Sequence, residues 1–314
     1  MKKFIYLLLF LSILNSNSFD EASKYYKNKQ YDKALKLYTK LANNNNANAQ
    51  YNLALMYYNG IGVAKNVQLA FIWLSSAAEQ GHKQAQNMLG YFYEKGIIPE
   101  LKDEQKAIEL YTKSAKQGYD IAQLNLGMYY SKFINKESSK KAFYWYKKAH
   151  ENGNIVATNN LATIYYFGNG VKRDYKKAAK LYNIAATAND KLAQYNLAMM
   201  YYGGIGVKKD LKLALYWLKK SAINGNKLAQ LKLGHFYKDG NNLVNKDHKK
   251  ALYWYFKAAA QNYAPAQYYV GYFYYYGYGI KKDIKKATYW MYLSSQNGYK
   301  FAKDFMKRNK LYYP

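Results

Sequence analysis

Apolar and small residues recur at helical spacing along the chain, in blocks that repeat every 35 to 37 residues. Ala-Gln stands at 49–50, 85–86, 122–123, 193–194, 229–230 and 266–267, with Ala157-Thr158 in the same register. Four residues after each of these alanines comes leucine or valine, then alanine or glycine, then tyrosine three further on; Leu197, Ala198 and Tyr201 are one such set. Spacings of three and four place such residues on one face of a helix. A second ladder (Ala70, Ala107, Ala142, Ala178, Ala214, Ala251, Ala287) keeps step with the first. Three residues after its rungs stand Trp73, Leu110, Trp145, Leu181, Trp217, Trp254 and Trp290, which accounts for all five tryptophans. Two ladders at a fixed offset predict two helices per block and seven blocks over 47–298, with the tryptophans as packing residues.

The punctuation agrees with this reading. Gly81, Gly118, Gly153, Asn189, Gly225, Asn262 and Gly298 follow the second helices, and these residue types adopt the left-handed conformation found just past a helix end. Glycine pairs such as Gly60/Gly62, Gly168/Gly170, Gly204/Gly206 and Gly277/Gly279 lie between the two helices. No strand precedes them and no GxGxxG or GKS follows, so they read as helix-to-helix loops and not as phosphate cradles. The third block lacks this glycine loop, and the sixth carries a longer insertion at Gly240-Asn241-Asn242.

The ends of the chain are different. Met1-Lys2-Lys3, an apolar run from Phe4 to Leu11 and the polar stretch 15–18 match a signal peptide cleaved after Ser18, so residues 1–18 are expected to be removed and the chain exported to the periplasm or beyond. No later stretch is long and apolar enough to span a bilayer. Residues 19–46, with Tyr31, Ala34 and Tyr38 at second-helix spacing, are expected to form an N-terminal capping unit. Residues 299–314 are expected to form a C-terminal capping helix with Ala302 in register.

Composition narrows the chemistry. There is no cysteine among 314 residues, which excludes disulfides, thiolate metal sites and cysteine nucleophiles. His82, His150, His235 and His248 show no ligand spacing and read as surface or cap residues, so no metal or other cofactor is expected. The net charge of +29 comes almost wholly from lysine, with arginine only at 173 and 308. Base-edge and bidentate phosphate recognition leans on arginine, so no nucleic acid is expected. The lysines read first as solvated helix faces in a chain also rich in asparagine and tyrosine, although such a charge attracts acidic partners over long range.

Ala-Gln, Leu-(Gly/Ala), Tyr, Gly-x-Gly-Val, Lys-Asp, Ala, Trp-Tyr/Leu, Ala-Ala and Gly, clearest over 193–225, resemble the Sel1-like repeat, a relative of the tetratricopeptide repeat. The stretch 20–43 resembles a shorter tetratricopeptide unit. The resemblance implies an all-α fold, a right-handed α/α superhelical solenoid, and a scaffold or adaptor that holds a protein or peptide, of acidic character, on the wall of first helices. Subtracting the core register leaves Asn52, Asn125, Asn160, Asn196 and Tyr269 in one line, with Tyr51, Tyr195, Tyr268 and Tyr272 beside it. An amide that donates and accepts at once suits an extended backbone, and in peptide-binding tetratricopeptide proteins a matching asparagine does this. Two rival readings remain. Cysteine-rich members of the family have been described as binding or weakly hydrolysing β-lactams, and Ser138-Ser139-Lys140-Lys141 is a Ser-x-x-Lys string. It lacks Ser-Asp-Asn and Lys-Thr-Gly companions, and its serine is expected to cap the third block's second helix, so no catalytic residue is assigned. The other rival is a binder of anionic envelope glycan.

Overall fold

The computed structural model describes residues 18–240 and 243–313; the expected signal peptide up to residue 17, and Asn241 and Asn242 of the insertion, lie outside the described residues. Among the described residues the regular structure is helical and no strand occurs. The chain divides into two compact units, Met1–Asn154 and Ile155–Pro314. The first contains α1 (18–27), α2 (Tyr31–Asn43), α3 (Ala47–Asn59), α4 (Val67–Glu79), α5 (Lys83–Lys95), a 3-10 turn (Pro99–Leu101), α6 (Glu104–Lys116), α7 (Asp120–Tyr130) and α8 (Lys136–Glu151). The second contains α9 (Ile155–Phe167), α10 (Tyr175–Thr187), α11 (Lys191–Gly203), α12 (Leu211–Ile223), α13 (Lys227–Asp239), α14 (His248–Ala259), α15 (Ala264–Tyr276), α16 (Ile284–Gln296) and α17 (Lys300–Arg308). Within each unit every helix packs on the next in sequence, as in an α-solenoid.

The glutamine of the Ala-Gln pair locks one repeat to the next. It is buried at Gln50, Gln86, Gln123, Gln194 and Gln230. Each Nε2 donates to an alanine carbonyl near the end of the preceding second helix: Ala42, Ala78, Ala115, Ala186 and Ala222, at 2.9–3.2 Å. The last carbonyls of a helix have no partner within it. Each Oε1 in turn accepts from an amide at the end of its own repeat's second helix, Gln80, Gln117, Asn152, Asn224 or Gln261. One side chain thus closes two helix ends, and its burial leaves no unpaired polar atom. The repeat that carries Thr158 instead of glutamine is the one that opens the second unit.

Second helices begin on capping side chains. Asn66, Asp103, Asn135, Asp174, Asp210, Asp247 and Asp283 each accept from the backbone N–H three residues on. The third repeat corrects an expectation: Asn135 is the cap, and Ser138 lies inside α8, donating its N–H to Asn135 Oδ1 at 2.8 Å. Lysines three residues after several of these caps reach over the first-helix tyrosine of their repeat, as Lys106 over Tyr93, Lys177 over Tyr165 and Lys286 over Tyr274, at 5.4–5.5 Å from the ring centroid. All seven residues expected past the second helices have φ between 54° and 84°.

At the chain ends, Ala34 and Tyr38 of α2 are buried, with Phe19 of α1 packed on the Tyr38 ring. Ala302 and Phe305 of α17 are buried against α15 and α16 residues that include Tyr268, Tyr272 and Met291.

Candidate functional site

First helices meet second helices through a size exchange that creates surface features. Where glycine occupies the small position, as at Gly90, Gly127 and Gly234, its missing Cβ makes room for the ring of Tyr111, Tyr146 or Tyr255. In two repeats alanine shares the core with a tyrosine in this register: Ala22 with Tyr38 in the first unit, and Ala162 with Tyr182 in the second. Both places hold a cavity. In the first unit Ser23, Tyr26 and Lys27 of α1, Tyr38 of α2, and Asn52 and Leu55 of α3 enclose about 230 Å³. In the second unit Thr163, Tyr166 and Phe167 of α9, Tyr182 of α10, and Asn196, Met199 and Met200 of α11 enclose about 250 Å³.

The two cavities share one construction. A second-helix tyrosine contributes its hydroxyl, bonded to a first-helix hydroxyl: Ser23 Oγ to Tyr38 at 3.1 Å, Thr163 Oγ1 to Tyr182 at 2.9 Å. Burial pushes the Tyr182 phenol up to about 12, so it stays neutral. An asparagine of the next first helix stands on the wall, Asn52 or Asn196. Volumes below the ~300 Å³ typical of small-molecule sites suit a single inserted side chain.

The remaining predicted residues are distributed unevenly. Asn125 Nδ2 donates to Asn87 Oδ1 at 3.0 Å, and Asn196 Nδ2 to Asn159 Oδ1 at 3.4 Å, so these amides also bridge successive first helices. Asn159 in turn donates to Asn160 at 3.4 Å. Tyr51 stacks on His82 at 4.8 Å, and Tyr195 packs on the second unit's core; burial raises both phenols. Tyr269 stacks on Tyr255 at 5.0 Å with the His235 ring at its edge. Tyr268 and Tyr272 lie against Phe305 of α17, each at 6.0 Å between centroids, so the cap helix takes the place a further first helix would hold. The structure therefore brings Asn159, Asn160 and Asn196 together beside one cavity. Asn52 belongs to the other cavity, and the C-terminal tyrosines form a separate cluster.

Sequence reasoning missed Asn87 and Asn159: they stand in the register of Tyr51, Tyr195 and Tyr268, which the sequence singles out for its tyrosines alone, and only the side-chain geometry shows amides bridging the two registers. It also missed the hydroxyl partners Ser23 and Thr163. Among the histidines, His82 is a cap, its Nδ1 accepting from the Ala85 N–H at 3.2 Å. His235 is neither cap nor surface: it is half-buried, 2.8 Å from the Tyr255 hydroxyl, and burial first, with Lys238 adding to it, pulls its pKa down to about 4. No cluster of three or more metal-ligating side chains occurs among the described residues. Ser138 lies in the first turn of α8, and Lys141 of the same string pairs with Glu137 at 2.7 Å.

Comparison with known proteins places this architecture. The Sel1 repeat model matches residues 25–46, 47–82, 83–119, 120–154, 155–190, 191–226, 227–263 and 264–299, the first of which falls in the stretch expected to form the N-terminal cap. The chain is similar to c5321, a protective antigen of uropathogenic Escherichia coli displaying an SLR fold (31% identity, TM-score 0.73, 94% of this chain); it spans 65% of that protein's length. It is also similar to a Sel1 repeat protein from Oxalobacter formigenes (30% identity, TM-score 0.74, 94% of this chain and 86% of that one). Yeast Tom70 shares the fold alone (15% identity, TM-score 0.52, 89% of this chain and 60% of that one). With repeat register, helix pairing and these likenesses in agreement, the chain belongs to the Sel1 repeat family.

Proposed function

We propose that this protein is an exported, non-enzymatic scaffold that holds an extended polypeptide segment along the first helices of its repeats. The observation that carries the reading is the recurrence of one side-chain-sized cavity, with a tyrosine hydroxyl and an asparagine amide, in both units. An amide can bond a bound backbone in both directions while the cavity takes an apolar side chain. The Sel1 repeat architecture serves protein–protein interaction, and the apolar run near the N-terminus supports export.

A displayed peptide library selected on the purified chain tests this reading. Asn196→Ala, and separately Thr163→Phe to fill the cavity, should weaken selected peptides about tenfold, the loss of one hydrogen bond to a buried partner, with helical content unchanged by circular dichroism. Peptides that bind both variants as tightly as the parent would rule the site out. Export is checked by mass spectrometry of the protein from its native host: an N-terminus at Phe19 is expected, and a retained Met1 refutes cleavage.

A further inference from the structure

The charge is not spread evenly. Residues 155–314 carry 27 Lys and Arg against 7 Asp and Glu. Fourteen of these cations fall within four six-residue segments at the starts of the second helices, 172–177, 208–213, 245–250 and 281–286. Those segments contain four acidic residues, the capping aspartates. The matching segments of the first unit, 64–69, 101–106 and 133–138, carry four cations and three acidic residues. A compositional preference for lysine would not concentrate it at one structural position in one half of the chain.

The four segments lie on one edge of the second unit. Each follows a first-helix C-terminus, and the loops into the second and fourth pack on the first and third. Gly206, in the loop leading to the second segment, packs on the backbone of Tyr175 in the first; a Cβ there would overlap it. Gly279 packs in the same way on His248, linking the third and fourth. Val207, just before the second segment, and Leu243 and Val244, just before the third, belong to one core cluster. All fourteen cations are exposed. Among the described residues, only Lys177, Lys250 and Lys286 reach a carboxylate, each its own capping aspartate at 3.1–3.6 Å. The capping aspartates are occupied by backbone N–H groups, which hold Asp174, Asp247 and Asp283 below the usual carboxylate range. The N-termini of four helices add positive potential along the same edge.

Exposed apolar side chains lie in these segments or at the ends of the helices that lead into them. Phe167 ends α9 at 63% exposure and Tyr276 ends α15 at 45%, while Leu213 and Ile284 project from the first turns of α12 and α16 at 39% and 41%. A strongly hydrated lysine row offers no planar fork for phosphodiesters or base edges, and a linear polyanion has no use for exposed aliphatic tips. Lysine interspersed with aromatic and aliphatic tips is the pairing that suits the boundary of a charged bilayer, where cations meet headgroups and apolar tips enter the acyl margin. We propose that this edge of the second unit docks on an anionic membrane surface as a peripheral contact; no helix among the described residues is long and apolar enough to cross one.

Co-sedimentation of the full chain with phosphatidylcholine vesicles, with and without phosphatidylglycerol, tests the proposal. Binding is expected only with phosphatidylglycerol and should fall steeply as salt is raised. Replacing Lys208, Lys212, Lys281 and Lys285 by glutamine should weaken partitioning about fivefold per lysine, the equivalent of ~1 kcal/mol for each cation at the surface. Removing the same charge elsewhere on the unit, with Lys191, Lys219, Lys257 and Lys300 changed to glutamine, should leave most of it. Ile284→Ser should weaken binding without altering the salt dependence. Equal losses in the two quadruple variants would show that net charge alone acts, and binding to phosphatidylcholine alone, or to single-stranded DNA or heparin but not to vesicles, also overturns the proposal. Circular dichroism confirms that each variant is folded.

Discussion

His235 shows how a repeat position acquires an unusual environment. In the sixth repeat the residue after the small glycine is a histidine, held between the Tyr255 hydroxyl and the Tyr269 ring. Burial favours its neutral form and lowers its pKa from 6.5 to about 4. The unfolded chain therefore takes up a proton at higher pH than the folded one. This contribution to stability is complete above pH 6.5 and is lost as the pH falls from 6.5 towards 4. Thermal melts across that window should show the native protein losing stability more steeply than His235→Gln, which keeps a hydrogen-bonding group without the titration. Parallel curves would mean the imidazole is not desolvated in solution. The capping aspartates behave oppositely in origin, since backbone donors favour their charged form, but they too weaken on acidification.

At the scale of helices, close approach is set by pairs of residues. Gly234 faces Tyr255 with no space for a methyl group, whereas Ala198 and Leu218 share the core in the same register of the preceding repeat. Gly234→Ala should destabilise the protein by about 1–3 kcal/mol, the range for overpacking. Adding Tyr255→Leu should recover part of the loss, because it recreates the pairing of the neighbouring repeat. Chemical denaturation of both variants decides the matter, and a double variant less stable than the sum of its parts would contradict the exchange. The tyrosine, leucine and alanine ladders are all legible in the sequence, yet which tyrosine needs which glycine is not, because the partners lie about twenty positions apart and only the crossing of the helices brings them together. The glutamine ladder is a similar case: its period is visible, while its two-ended role depends on where the preceding and following helices end.

For the molecule as a whole, repeat architecture predicts that damage stays local. Each helix packs mainly on its neighbours in sequence, so stability is close to a sum over adjacent interfaces. Ending the chain after Gly298 removes α17 and uncovers Tyr268, Tyr272 and Met291. Hydrogen exchange should then lose protection in α15 and α16 and keep it in α9 to α12; protection lost uniformly would show a single cooperative block. The amino-acid sequence alone determined the repeat, its period, the two helices per unit, the turns that separate them and the family, because each depends on local spacing and on residue types with fixed backbone preferences. Only the tertiary structure decided that Asn125 and Asn196 reach back to the preceding repeat, that two cavities form where alanine rather than glycine accompanies tyrosine, and that scattered lysines gather on one edge. Those outcomes depend on the distance and rotation between packed helices, which no single stretch of sequence contains.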